Sequence, residues 1–158
     1  MRKGIDLQAG REANIMKYLK VRDAMTRNVE TMPQNLNLRE FLSQAMASKH
    51  TSFPVIDDQG RLTGIIAFQD FKELIYEQGL GDLIIVQDIM TKKVLTVTED
   101  ENLETALERV GFRNIEQLPV VSRDDPGRIV GILSRRDIFS AYNKAVVKLS
   151  AAPRTPEI

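Results

Sequence analysis

The stretch Val21-Arg-Asp-Ala-Met-Thr26 recurs as Val86-Gln-Asp-Ile-Met-Thr91, 65 residues further along the chain. Other residues keep the same order, with an offset of 65 that becomes 67 after a two-residue insertion in the second copy: Val29 with Val94, Pro54 with Pro119, Gly64 with Gly131 and Asp70 with Asp137. Chance matches would not preserve order and spacing over such a length. The 158-residue chain therefore contains one structural unit twice.

Each copy predicts the same order of elements: strand, helix, strand, turn, strand and helix. Behind Asn37, and behind Asn102 in the second copy, apolar residues recur at the spacing of one helix face. Asn37 and Glu40 have the spacing of a capping box, which predicts that the first helix begins there. Strands are predicted at residues 29–32, 53–56 and 62–66, and again at 95–97, 118–121 and 129–133.

The closing helices are expected to begin near Phe68 and Arg135, which gives an α+β fold of two β-α-β-β-α motifs. Because a unit of about 55 residues buries little surface alone, the copies are expected to pack sheet against sheet as one pseudo-twofold domain. The expected divisions are a linker from a preceding domain at 1–19, a first motif at 20–78, a connector at 79–85, a second motif at 86–149 and a flexible tail at 150–158.

The composition is that of a soluble globular protein, with 42% hydrophobic and 28% charged residues. Because Lys plus Arg and Asp plus Glu both number 22, the neutral chain argues against general nucleic-acid binding. No apolar run approaches the ~18 residues that suggest a membrane span. With no cysteine, one histidine and no Walker-type loop, the chain offers no Cys–His pair or histidine cluster. We therefore expect neither an enzyme nor a metal site.

The end of the second copy combines groups that suit a nucleotide. Ser134, Arg135, Arg136 and Asp137 follow directly on an apolar strand, at the start of the closing helix. Unpaired N–H groups at a helix start favour a phosphate, and the hydroxyl and either guanidinium can add hydrogen bonds to it. Asp137 lies one turn on and suits the two hydroxyls of a ribose, with roughly 1.5–3 kcal/mol for each hydrogen bond to a charged group.

The first copy lacks most of these groups. Ala67 stands where the second copy has its hydroxyl, and Phe68 and Gln69 replace the arginines. Glu116 is expected to project toward a phosphate bound there and to repel it. Asp70 alone is retained. We expect one functional cleft and a weaker mirror site at Asp70.

Each candidate also has a purely structural interpretation, which the sequence leaves open. Asp137 and Asp70 suit the first turn of any helix, and Ser134 suits an N-cap. The two arginines are compatible with a solvated helix face. His50, the single histidine, is compatible with a surface position at the end of a helix.

The ordered set V-x-D-x-M-T, helix, F/L-P-V, D-x-x-G and G-I-x-x-x-x-D, present twice, resembles a pair of CBS motifs over about residues 20–147. The resemblance implies a Bateman module, with two clefts related by a pseudo-twofold axis. Such modules bind adenine nucleotides (AMP, ADP or ATP), regulate an attached channel, transporter or enzyme, and associate as disc-like homodimers through their helices.

The resemblance also implies that the first motif completes the nucleotide pocket opposite Ser134 and Asp137. The residues at the matching positions are Glu30, Thr31, His50, Thr51, Ser52, Phe53 and Pro54. By resemblance, His50 falls where an aromatic ring packs on adenine, a contact worth about 1–3 kcal/mol in other settings. Backbone groups near Thr31 and Thr51 would bind the edge of the adenine.

The flanks resemble a narrower group. KGIDLQAGRE at residues 3–12 and AYNKAVV at residues 141–147 are similar to the cytoplasmic tail of bacterial voltage-gated-type chloride channels. This resemblance implies a cytoplasmic module that controls an attached channel at the membrane, with Met1 a boundary rather than the native start. The competing hypothesis is a structural dimerisation module with no nucleotide.

Overall fold

The computed structural model describes residues 14–71, 79, 81–111 and 115–151. Its helices are α1 Val21–Ala24, α2 Leu38–Ala47, α3 Phe68–Phe71, α4 Val86–Ile89, α5 Leu103–Gly111 and α6 Arg135–Ala151. Its strands are β1 Met32–Pro33, β2 Ser52–Ile56, β3 Leu62–Ala67, β4 Val97–Thr98, β5 Gln117–Val121 and β6 Ile129–Ser134. Residues 14–18 are also helical. The first 13 residues of the expected linker, and the expected tail from residue 152, lie outside the described residues.

Each copy forms a three-stranded mixed sheet, in the orders β1-β2-β3 and β4-β5-β6. The first strand of each sheet is parallel to the second, and the second is antiparallel to the third. Both sheets carry an irregularity at the same place, between Val55 and Ile56 and between Val120 and Val121. The predicted α+β fold of two equivalent units is confirmed.

The first strand of each copy is shorter and lies later than the sequence predicts. In the first copy only Met32 and Pro33 pair with the central strand, opposite Val55 and Ile56. Residues 29–31 precede this ladder although their composition favours a strand. Continued in the same register, Thr31 would face Pro54 of β2, which has no N–H to donate to a ladder, and the observed pairing begins at Met32.

Each copy begins inside the hydrophobic core of the other copy. Met16 and Val21 belong to the cluster built on second-copy residues such as Leu118. Val86 in turn belongs to the cluster built on first-copy residues such as Phe41. Met16 is 9% exposed, so the residues expected to form a linker contribute to the core from this position onward.

Backbone hydrogen bonds repeat this exchange in both copies. Val21 N donates to Glu101 O at 2.8 Å, and Leu103 N donates to Leu19 O at 2.9 Å. The equivalent bonds in the other half, both 2.8 Å long, run from Val86 N to Leu36 O and from Leu38 N to Ile84 O. The two copies therefore form one folded unit rather than two independent ones.

The repeated V-x-D-x-M-T motif has a structural explanation. Asp23 Oδ2 accepts a hydrogen bond of 2.9 Å from Lys20 N, which fixes the start of α1. Thr26 then exchanges two backbone hydrogen bonds of 2.9 Å with Ile132 of β6. In the same way Thr91 pairs with Ile65 of β3. Each motif thus attaches to the strand of the other copy that leads toward a helix start.

The turns between the last two strands of each copy also meet. Arg61 donates two hydrogen bonds to Asp125, from Nη2 to Oδ1 at 2.8 Å and from Nη1 to Oδ2 at 3.1 Å. Leu62 N donates to Gly127 O at 2.9 Å beside this pair.

The described part of the chain contains no helix with both the length and the apolar character needed to cross a bilayer.

Candidate functional site

Ser134 and Asp137 form a reciprocal cap at the start of α6. Asp137 N donates to Ser134 Oγ at 3.0 Å, and Ser134 N donates to Asp137 Oδ2 at 3.0 Å. The arrangement is a capping box with Asp in place of the usual Glu. It leaves the Ser134 hydroxyl proton available as a donor. Asp137 Oδ1 has no hydrogen bond to any described residue, so it remains available as an acceptor.

The two arginines that follow have different environments. Arg135 donates from Nε to Ile115 O at 3.0 Å and from Nη2 to Val110 O at 2.7 Å. These bonds commit its guanidinium to the backbone of the second copy. Arg136 is exposed and makes no hydrogen bond or ion pair with the described residues. Arg136 is therefore the guanidinium that is available to an anion near Ser134.

In the first copy, Ser48 connects two of the predicted residues. Its hydroxyl donates to Glu30 Oε2 at 2.6 Å and accepts from His50 N at 3.0 Å. Thr31 is half-buried directly before β1. Ser48 was not among the sequence candidates, and its position at the C-cap of α2 is the one signal that could have indicated it.

Two of the predicted residues lie in the core. Phe53 is 1% exposed, and Pro54 beside it in β2 is also buried. The Phe53 ring makes an edge contact with His50, with ring centroids 6.5 Å apart, and another with Phe41 at 5.9 Å. These contacts indicate that the buried Phe53 side chain supports the exposed His50 ring on the side that faces the core.

A cavity of about 640 Å³ lies in the mirror cleft, between the helix start at Ala67 and residues of the second copy such as Leu95. Thr51 and Ser52, which the sequence assigned to the Ser134 cleft, line this cavity. The reason is the antiparallel pairing within the first sheet, which sets Ser52 opposite Ala67 and places the Thr51 carbonyl 2.8 Å from the backbone nitrogen of Phe68.

The repeat relates this cavity to the predicted site. The mirror cleft joins the helix start of one copy to residues 94–95 and 115–116 of the other. At an offset of 65, the equivalent positions in the first copy are Val29, Glu30, His50 and Thr51. The same packing around Ser134 would bring these residues opposite Asp137. The pseudosymmetry supports the predicted pocket, whose assembly stays a prediction.

Comparison with known proteins gives a family match over both copies. The CBS domain matches residues 21–77 and 86–144. The crystal structure of CBSX2 in complex with AMP is 29% identical, with a TM-score of 0.68 over 84% of this chain and 98% of that chain. The CBS domain pair of protein MJ0100, in complex with 5′-methylthioadenosine and S-adenosyl-L-methionine, is 27% identical, with a TM-score of 0.68 over 80% of this chain and 97% of that chain.

A curated relative, the homoserine O-acetyltransferase of Methanosphaera stadtmanae, is 28% identical over 132 residues. The match covers 84% of this chain and 26% of the relative. The chain spans about a quarter of the length of the curated relatives matched first. Since the family match covers both copies and the fold is that of solved CBS pairs, this chain belongs to the CBS domain family as a tandem CBS pair.

Proposed function

We propose that this CBS pair is a regulatory module that binds an adenine nucleotide between its two motifs. The observation that carries the proposal is the start of α6. There the capping hydroxyl of Ser134, the exposed guanidinium of Arg136 and the carboxylate of Asp137 lie within four residues. CBSX2 with AMP and the MJ0100 pair with two adenosine derivatives support a ligand of this class.

The phosphate would bind at the N-terminus of α6, a helix of 17 residues. Ser134 accepts its cap bond from Asp137 N, so its own proton can be donated to a phosphate oxygen. Arg136 adds a charge-assisted hydrogen bond from the exposed side. Because Arg135 is committed to backbone carbonyls, a single guanidinium remains, which weakens the case for a polyphosphate over AMP.

The ribose and the base would bind on either side of this point. Asp137 Oδ1 would accept the ribose hydroxyls while Oδ2 keeps its bond to Ser134 N. By repeat equivalence, His50 and Glu30 would lie at the base end, where Ser48 connects them and Phe53 supports the His50 ring. AMP, ADP and ATP all carry the phosphate, the ribose and the adenine base that these positions would bind.

Ligand binding could reach an attached protein through the N-terminal segment. Thr26 is bonded to Ile132, two residues before Ser134 in the same strand. A ligand that favours one position of this strand would therefore bias the position of residues 14–26. Regulation of this kind requires only that the ligand bind two arrangements with different affinity.

The proposed target is a chloride channel, on the resemblance of the flanks. Residues 141–147 lie in α6, whereas residues 3–12 lie outside the described residues. The proposal places this module on the cytoplasmic face of the membrane as part of a longer chain.

We propose a homodimer through α6. Three apolar residues of this helix, Phe139, Val147 and Leu149, are 54%, 66% and 59% exposed.

A thermal-shift and calorimetry screen with AMP, ADP, ATP and S-adenosylmethionine tests the proposal. A ligand at ~100 times its dissociation constant should stabilise the protein by about 2.7 kcal/mol. Asp137→Asn, which keeps a capping oxygen but loses the charge, should abolish AMP binding, while the matched variant Asp70→Asn should retain it. If no nucleotide binds, the chain is a structural dimerisation module instead.

A further inference from the structure

We propose that Glu30, held in place by Ser48, accepts a hydrogen bond from the 6-amino group of the bound adenine and so determines which purine this chain selects. The inference rests on the proposed function, because it concerns the base end of the same cleft. It gives a specific role to a carboxylate and a hydroxyl that the structure joins by a hydrogen bond.

The carboxylate of Glu30 is fixed at one oxygen and available at the other. Ser48 Oγ donates to Glu30 Oε2 at 2.6 Å, and the same hydroxyl accepts from His50 N at 3.0 Å. Ser48 is itself the C-cap of α2, where its backbone nitrogen donates to Ala45 O at 3.1 Å. Glu30 is exposed, and its Oε1 has no hydrogen bond to a described residue. One oriented acceptor is therefore open to a ligand.

The repeat supports a place for this carboxylate in the wall of the cleft. Leu95 stands at the position equivalent to Glu30, and Ile115 at the position equivalent to His50. Both line the cavity of the mirror cleft. Because the sheets of the two copies pair in the same register, we place Glu30 and His50 in the wall of the Ser134 cleft. Leucine has no polar atom in its side chain, so this acceptor is specific to the Ser134 cleft.

The ribose position determines which edge of the base reaches Glu30. A purine is joined to its ribose through N9, and N1 and the 6-substituent lie on the opposite edge. With the ribose at Asp137, this far edge points toward the first copy. Since Glu30 and His50 N share the hydroxyl of Ser48, a base stacked on the His50 ring would present this edge to the carboxylate.

Adenine and hypoxanthine differ at that edge. Adenine carries an amino group at position 6, which can donate to Glu30 Oε1, whereas hypoxanthine carries an oxygen there. An ionised carboxylate only accepts hydrogen bonds, so it repels this oxygen, and the bond from Ser48 opposes its turning aside. A hydrogen bond to a charged group is strong enough for a preference of about tenfold.

Calorimetry on the whole chain with AMP, IMP and purine riboside 5′-monophosphate, which lacks the 6-amino group, tests the inference. The unchanged protein should bind AMP about tenfold more tightly than either analogue. Glu30→Leu should weaken AMP to the level of purine riboside 5′-monophosphate and leave the affinity for that analogue unchanged. Such coupling between a change in the ligand and a change in the protein isolates their contact. Damage to the fold would instead weaken all three ligands together.

Two further variants test the chemistry and the positioning without an apolar replacement. Glu30→Gln keeps an acceptor and adds a donor, so it should retain AMP and gain affinity for IMP. Ser48→Ala releases the carboxylate and should reduce the preference for AMP over IMP. Ser43→Ala is the matched control, because Ser43 is an exposed hydroxyl of the same helix, and it should leave the preference unchanged.

The outcomes separate this inference from the proposed function. If AMP binds and is lost in Asp137→Asn, but the three ligands bind equally, the inference is wrong and the nucleotide site stands. A preference for AMP that persists in Glu30→Leu, or an equal loss of all three ligands, also contradicts it. If no nucleotide binds the unchanged protein, the proposed function fails and this inference fails with it.

Discussion

Gly131 and Gly64 lie where a strand of one copy passes the opening motif of the other. A Cβ atom on Gly131 would be 2.8 Å from Met25 Sδ and 3.0 Å from the backbone oxygen of Thr26. At Gly64 the equivalent contacts, to the Met90 sulfur and the Thr91 oxygen, would be 2.5 and 2.9 Å. A methionine side chain can move aside, but a carbonyl that is hydrogen-bonded to the strand cannot.

Gly131→Ala should therefore destabilise the protein by about 1–3 kcal/mol, as overpacking of a well-packed interior does. Gly111→Ala is the matched control, because a Cβ there meets nothing within 4 Å and the residue ends a helix. Urea unfolding of both variants measures the difference. Equal stability of the two variants would show that the strand and the motif can separate at little cost.

The candidate residues show how far sequence reasoning reaches at this scale. Ser134 and Asp137 were predicted as a cap or as ligand groups, and the structure shows the cap without removing their capacity for a ligand. Arg135 could not be assigned, because its partners lie 20 and 25 residues earlier in the chain. Ser48 was missed for the same reason, since it binds Glu30, 18 residues before it.

Among the elements, the two turns form an ion pair, Arg61 with Asp125, whose contribution to stability should depend on pH. The hydrogen bond from Arg61, followed by that from Gly127 N, lowers the pKa of Asp125 below its usual 3.8. Because the pKa is lower in the folded protein than in the unfolded chain, the carboxylate stabilises the fold above its unfolded pKa. That contribution is lost as the pH falls through the folded pKa.

Asp125→Asn should therefore lower the free energy of unfolding at about pH 7, and the gap from the unchanged protein should close toward about pH 3. Urea unfolding at the two pH values measures the gap. Asp124→Asn, in the same turn but without an ion pair among the described residues, should show little change at either. A gap for Asp125→Asn that stays constant would mean that the charge of Asp125 does not stabilise the turns.

The elements themselves were largely predictable. In both copies the second and third strands (β2, β3, β5 and β6) match their predicted ranges to within one residue. The closing helices begin at Phe68 and Arg135, as expected. Asn37 caps its helix through Glu40 N at 2.8 Å. The first strands were predicted too early because the composition of residues 29–31 favours a strand, whereas in the observed register Thr31 would face Pro54, which has no N–H to donate.

The whole molecule is held together by the exchange of opening segments. The second core contains Met16 and Val21 from the first half of the chain, and the first core contains Val86 from the second half. Each half is therefore incomplete without the other. Cooperative unfolding of the pair as one unit follows from this arrangement.

Fragments 1–79 and 80–158 should each fail to fold alone and should regain structure on mixing. Each lacks buried residues that the other supplies, and exposing an apolar core costs more free energy than a small unit retains. Far-UV circular dichroism and thermal melting of each fragment and of the mixture measure this. A cooperative transition in either isolated half would contradict the exchange.

The sequence by itself determined the repeat, the α+β class, the order β-α-β-β-α that follows the short helices α1 and α4, and the groups gathered at Ser134–Asp137. The repeat is visible in the order of the residues alone, and the other features depend on residues near one another in the chain, through spacing, capping and turn chemistry. Only the tertiary structure decided which copy each opening segment joins, what Arg135 binds and that residues of both copies line a cavity in the mirror cleft. Those features arise from contacts between distant residues, and the local pattern of a chain does not specify which distant surfaces will meet.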